Sequence, residues 1–171
     1  MAEQYRVARG DASRVSATVA RLRAAAAANP AVRENAGICV YALEARAKVM
    51  ARAPDASAAV ARLDSVLMHS NVGLNWREHF TLASARLHSA LGEYDQALKA
   101  TRRRTESVYA YAPLLLERGR LAARLGKRDE AVQAYRRYLK VRSDPEPGAA
   151  AQLTEQARNE LAALAGERQP Q

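Results

Sequence analysis

The chain predicts an all-α fold assembled from helical hairpins, and three observations carry that expectation. One pattern is written twice: Ala85, Leu87, Leu91-Gly92, Ala97-Leu98 and Arg102-Arg103 recur as Gly119, Leu121, Leu125-Gly126, Ala131-Val132 and Arg136-Arg137. The offsets 119−85, 126−92, 131−97 and 136−102 all equal 34, a period that belongs to stacked pairs of helices. Within each copy apolar residues recur at helical spacing, as Phe80, Ala83, Leu87 and Leu91 do in the first and Leu114, Leu121 and Leu125 in the second. Finally, Ala is abundant, aromatics make up only 5%, and no turn dipeptide is flanked by alternating β-branched residues, so sheet is disfavoured.

The elements follow in order. Asp11 to Ala28 reads as a helix capped by Asp11 or Ser13, lined by Val15, Val19 and Leu22, and ended by Asn29-Pro30. Gly10-Asp11 is similar to a turn inside a repeat, so the chain reads as starting mid-repeat or with a degenerate start. Val32 to Ala53 is a long helix with Ile38, Tyr41, Ala42, Ala45 and Val49 on one face, stopped at Pro54. Asp55 or Ser57 caps its partner, whose stripe is Val60, Leu63, Val66 and Leu67. Ala59 aligns with Ala97, and 97−59 is 38, so this copy carries about one extra helical turn.

Asn71 to Asn75 reads as a loop, then Trp76 to Leu91 and Asp95 to Val108 as one hairpin and Pro113 to Leu125 and Asp129 to Val141 as the next. Gly92 and Gly126 stand where a helix end wants positive φ, and Asp95 and Asp129 where the next helix wants a cap. Ser143 to Gly148 breaks the chain. Ala149 to Leu164 is a closing helix, with Leu153, Ala157, Leu161 and Leu164 inward and Glu155, Arg158 and Glu160 outward. An array needs such an end, since its last hairpin otherwise exposes an apolar face. The expectation is one helical domain over 1–165: a helix at 11–30, a degenerate repeat at 32–70, repeats at 76–111 and 112–145, and a cap at 149–165. A frayed, disordered tail follows at 166–171.

This pattern resembles the tetratricopeptide repeat. The first copy supplies Ala85, Gly92, Tyr94 and Ala97 at that family's marked positions; the second supplies Gly119, Gly126, Ala131 and Tyr135, with Pro145 two residues late. Thr81, Ser84, Thr101 and Arg118 depart from it. The resemblance implies a short right-handed α-α superhelix of antiparallel hairpins whose first helices line a concave groove. It also implies ligand contacts at His79, Leu82, Arg86, Ser89 and Ala90, and at Pro113, Leu116, Arg120, Ala123 and Arg124. Of these, His79, Leu82, Arg86, Leu116, Arg120 and Arg124 are the candidate partner-binding residues, with Arg86, Arg120 and Arg124 as a cationic line suited to carboxylate or phosphate. The Asn and Lys of the carboxylate clamp in chaperone-binding members are absent.

The second half, with Ala100-Thr101-Arg102-Arg103-Arg104, Glu117-Arg118-Gly119-Arg120-Leu121, Ala134-Tyr135-Arg136-Arg137-Tyr138 and Arg142-Ser143-Asp144-Pro145, is similar to the C-terminal repeat region of some bacterial serine/threonine kinases and transcriptional regulators. That likeness implies a regulatory or dimerisation module of a bacterial signalling protein and transfers no activity.

The net charge of +9 is local. Between Lys99 and Arg142 stand 13 basic residues against 4 acids (Glu106, Glu117, Asp129 and Glu130), and 13−4 is the whole excess of 9. Arg102, Arg103, Arg104, Arg136 and Arg137 form either a basic patch for nucleic acid or another anionic surface, or a solvated outer face in an Arg-rich composition. Tyr94, Tyr109, Tyr111, Tyr135 and Tyr138 read as helix packing.

Cys39, the single cysteine, excludes an internal disulfide and reads as a small core residue. His69, His79 and His88 have no metal spacing, and His88 reads as a hairpin-interface residue. No phosphate loop, nucleophile elbow or kinase motif is present, so neither enzyme activity nor a cofactor is expected. Without an apolar membrane run or a secretion signal at the N-terminus, the expectation is a cytoplasmic chain, weakened if it belongs to a longer, membrane-anchored protein. The function expected is a non-catalytic scaffold binding a peptide or partner protein, acidic in character. The alternatives are the basic-patch binder and the dimerisation module.

Overall fold

The computed structural model describes residues 12–69, 74–103 and 108–166, and these hold eight helices and no strand. They are α1 (Ala12–Ala28), α2 (Pro30–Met50), α3 (Ala56–His69), α4 (Leu74–Ala90), α5 (Tyr94–Thr101), α6 (Val108–Arg124), α7 (Arg128–Val141) and α8 (Ala149–Gly166). The sequence period reappears in the element bounds. α4 and α6 start at 74 and 108 and end at 90 and 124, and α5 and α7 start at 94 and 128, each pair 34 apart. α2 has 21 residues against 17 for α4 and α6, which accounts for the extra turn of the earlier copy.

Glycine geometry closes each hairpin. Gly92 and Gly126 have φ of 78° and 69°. The amide of Gly92 donates to the Ser89 carbonyl at 3.0 Å and that of Glu93 to the His88 carbonyl at 2.9 Å. Gly126 and Lys127 repeat this pair onto Ala123 (3.0 Å) and Ala122 (2.8 Å). This double bond to the last turn satisfies carbonyls that a helix end leaves open, and it needs a left-handed residue. α2 ends the same way at Arg52, φ 51°, whose amide donates to Val49 (3.1 Å) while Ala53 donates to Lys48 (2.9 Å). The first hairpin thus keeps the turn without its glycine.

Several boundaries differ from the sequence reading. α2 begins at Pro30, a residue whose fixed φ suits a first helical turn, and ends at Met50 because the turn through Arg52 comes before Pro54. α4 begins at Leu74, inside the expected loop; residues 71–73 of that loop lie outside the described residues. α5 stops at Thr101, whose hydroxyl donates to the Leu98 carbonyl at 2.7 Å, while the amides of Arg102 and Arg103 tighten to i−3 bonds. Val108 opens α6 and does not end α5, so Pro113 lies within α6, on a stretch that buries Ala112, Leu114, Leu115 and Leu116. Asp95 and Asp129 are first-turn residues; the caps are Glu93 and Lys127, neither with a side-chain cap bond. The cap expected at Asp11, and the tail beyond Gly166, lie outside the described residues, and of the Ser13 side chain nothing is described.

Consecutive helices pack on each other throughout, and in addition α2 touches α4 and α4 touches α6. Apolar clusters fill the joints: Val15, Val19, Val40 and Leu43 between α1 and α2; Ile38, Leu63, Leu67 and Phe80 among α2, α3 and α4; and Leu98, Leu115, Leu121, Tyr135, Tyr138 and Ala157 among α5 to α8. Inside α8, Thr154 and Ala157 are fully buried, whereas Leu153, expected inward, is 39% exposed.

One close approach distinguishes the two copies. A Cβ on Gly119 would meet the Tyr135 ring at 2.8–2.9 Å. The equivalents one period earlier are Ala85 and Thr101, both buried. The smaller first-helix residue thus stands with the larger second-helix one, Gly119 with Tyr135, and the larger with the smaller, Ala85 with Thr101.

Candidate functional site

α4 buries two faces of different character. Glu78, Thr81, Ser84 and His88 recur at three- and four-residue steps and are all buried, so this side of the helix is polar. Phe80 is buried beside them, but Ala83 and Leu87 of the predicted apolar stripe are only part-buried and face a groove.

That groove, about 440 Å³, runs between α2 and α4. Ala42, Leu43, Val49, Leu82, Ala83 and Leu87 give it apolar walls, and Arg46, His79 and Arg86 bring nitrogen donors to it. Arg86 is 62% exposed and holds Glu117 of α6 loosely at 3.5 Å. Desolvation, with a further push from the Arg86 charge, keeps the His79 imidazole below its usual range, so it stands neutral near pH 7. Of the six predicted partner-binding residues, the structure brings His79, Leu82 and Arg86 together here.

The other three are placed elsewhere. Leu116 is 6% exposed and belongs to the core. Arg120 reaches α8, where its Nε and Nη2 donate to Glu160 at 3.1 and 2.9 Å and Nη2 also reaches Gln156 at 3.3 Å. Glu160, expected to point outward, therefore fastens the closing helix to α6. The Arg124 guanidinium lies over the Tyr94 ring at 4.1 Å. The predicted cationic line is divided among three different partners.

The basic patch is divided too. Arg102 and Arg118 both hold Glu130, Arg102 from the preceding hairpin, with Nε–Oε1 distances of 2.8 Å for each. Together they keep that carboxyl low, at about 2, the Arg102 hydrogen bond contributing most. Arg103 donates to Asp64 of α3 at 2.9 Å. Arg104 lies outside the described residues. Arg136 and Arg137 are exposed on α7. Tyr135 and Tyr138 are 1% and 3% exposed and pack as expected; the side chains of Tyr109 and Tyr111 lie outside the described residues.

Behind the groove wall sits a polar cluster that the sequence reading missed. His88, 3% exposed, meets Glu93 through Nδ1 at 2.6 Å and Asp64 through Nε2 at 3.0 Å. Carboxylate oxygens only accept, so both ring nitrogens donate and the ring is charged. Burial opposes that charge, but the bonds to Asp64 and Glu93 outweigh it and raise the His88 pKa. Burial alone would raise the Asp64 carboxyl; hydrogen bonds from His88, Arg103 and Ser84 overcome it and hold the group far below the usual range. Ser84 donates its hydroxyl to Asp64, not to His88, so this is no nucleophile–base pair, and neither ring nitrogen keeps a lone pair for a metal. The signal was present: Thr81, Ser84 and His88 are polar residues at core spacing, and Thr81 and Ser84 are departures from the repeat pattern.

Cys39 is half-buried beside the Ile38 and Phe80 cluster, and burial pushes its thiol pKa up, which disfavours the reactive thiolate. Among the described residues, no group of three or more His, Cys, Asp or Glu is arranged to hold a metal ion, and no helix is long and apolar enough to cross a membrane. Compared with family models, curated proteins and solved structures, the chain matches none.

Proposed function

We propose that the chain is a non-catalytic scaffold of tetratricopeptide-like hairpins that binds a peptide or partner-protein segment in the groove between α2 and α4. The groove itself carries the reading: apolar walls from two neighbouring first helices, with Arg46 and Arg86 beside them and a neutral His79. Such a surface suits a short segment with two or three apolar side chains and a carboxylate, because an Arg fork pairs well with a carboxylate where water is partly excluded. Arg86 is held only loosely by Glu117, so an incoming carboxylate has little to displace.

A nucleic-acid reading of the basic stretch draws less support, since Arg102, Arg103, Arg118, Arg120 and Lys127 already have carboxylate partners. Selection of a random peptide library on the chain tests the proposal. Enriched peptides should combine apolar residues with Asp or Glu and should lose binding to Leu82→Arg. Enrichment that ignores Leu82→Arg, or that favours basic peptides, would contradict it.

A further inference from the structure

The groove leaves one strongly charged surface unused. Gln133, Arg136, Arg137 and Lys140 are all exposed and lie on one stripe of α7. Their nearest comparison is inside the chain, because 136−102 and 137−103 both equal 34.

In the earlier copy these two arginines are both engaged by acids. Arg102 holds Glu130, 28 residues on, and Arg103 holds Asp64, 39 residues back. The same steps from Arg136 and Arg137 reach 136+28 = 164 and 137−39 = 98, which are Leu164 and Leu98. Leu98 is buried and Leu164 packs against the same apolar cluster, so the last hairpin has the cations without their carboxylates. Glu130, on the same helix, is already shared by Arg102 and Arg118.

We propose that this face of α7 is a second docking surface, for an acidic segment of another protein. Its carboxylates would pair with Arg136 and Arg137 at the solvent-exposed side of α7, supplying from outside the chain the charge that Glu130 and Asp64 supply to Arg102 and Arg103 from within it. Carboxylate is favoured over single-stranded nucleic acid because, among the described side chains, the face offers no aromatic platform: Tyr135 and Tyr138 are buried, and Tyr94 lies under Arg124. A second copy of the chain is disfavoured because two copies of net charge +9 repel, and most of its described acids, Asp64, Glu117, Glu130 and Glu160 among them, are already in ion pairs. With no apolar anchor on the stripe, such binding is electrostatic, fast and sensitive to salt.

Fluorescence anisotropy with a labelled peptide of alternating Glu and Ser, beside a labelled single-stranded oligothymidylate, tests this. The peptide should bind more tightly than the oligonucleotide. The double variant Arg136→Gln/Arg137→Gln should weaken it about tenfold or more with an unchanged melting curve, two charge-assisted bonds being lost. Leu82→Arg, which blocks the groove, should leave this binding as it was, so the two surfaces fail or succeed separately. Tighter oligonucleotide binding, self-association lost in the double variant, loss of peptide binding in Leu82→Arg, or peptide affinity indifferent to the double variant would each overturn the proposal.

Discussion

Replacing Gly119 by Ala tests how the repeat packs its hairpins. At an unencumbered helix position the change stabilises by about 0.8–1 kcal/mol, because Gly loses more backbone freedom. Here the added Cβ would meet the Tyr135 ring at 2.8–2.9 Å, and the ring belongs to a fully buried side chain that cannot swing out to solvent. Overpacking of this kind costs about 1–3 kcal/mol, so the net effect should be a loss of about 1 kcal/mol. Tyr135→Thr alone should cost more, about 3 kcal/mol or above, by opening a cavity. On that background Gly119→Ala has space, as Ala85 has opposite Thr101, and should stabilise by about 1 kcal/mol. The coupling between the two positions is then about 2 kcal/mol. Urea unfolding of the four proteins, followed by far-ultraviolet circular dichroism, measures it. Additive effects, or a Gly119→Ala single variant more stable than the parent, would refute the close approach.

Further outcomes follow from the turns, the buried cluster and the closing helix. Gly92→Ala should lower stability by about 1–2 kcal/mol through its left-handed φ, while Arg52→Gly should be neutral or stabilising by up to about 1 kcal/mol; equal losses from both would contradict the shared turn. His88 has a raised pKa, so its contribution is complete below its ordinary value of about 6.5 and is lost as pH rises through the folded value. Asp64 has a depressed pKa, so its contribution is present above the ordinary value of about 4 and is lost as pH falls. Denaturation midpoints should therefore peak between about pH 4 and 6.5, and His88→Gln should flatten the alkaline side. Arg120→Ala should cost no more than about 1 kcal/mol, its head being screened by solvent, yet speed amide exchange in α8 and leave groove binding intact.

The helical class and the hairpin period were legible because both rest on local spacing. Gly92 and Gly126 mark turns by backbone chemistry alone, and α4 to α7 repeat at the interval the sequence carries. Arg52 was not legible, since nothing in an Arg announces a left-handed φ. α6 was misread at its start because Pro113 looks like a first-turn residue, whereas burial of Ala112 and Leu114 to Leu116 carries the helix across it. The groove was half legible. His79, Leu82 and Arg86 sit together on α4, but the opposite wall comes from α2, in the copy whose spacing departs from 34. Arg120 and Arg124 look free in sequence because their partners, Glu160 and Tyr94, lie 40 and 30 residues away (160−120 and 124−94) on other helices.

The most direct test of the central claim is chemical-shift mapping of the isotope-labelled chain with a peptide taken from the library selection. The largest changes should fall on Ala42, Arg46 and Val49 of α2 and on Leu82, Ala83 and Arg86 of α4, and vanish in Leu82→Arg. Shifts confined to α7 and α8, with α2 and α4 silent, would contradict a groove between the first helices.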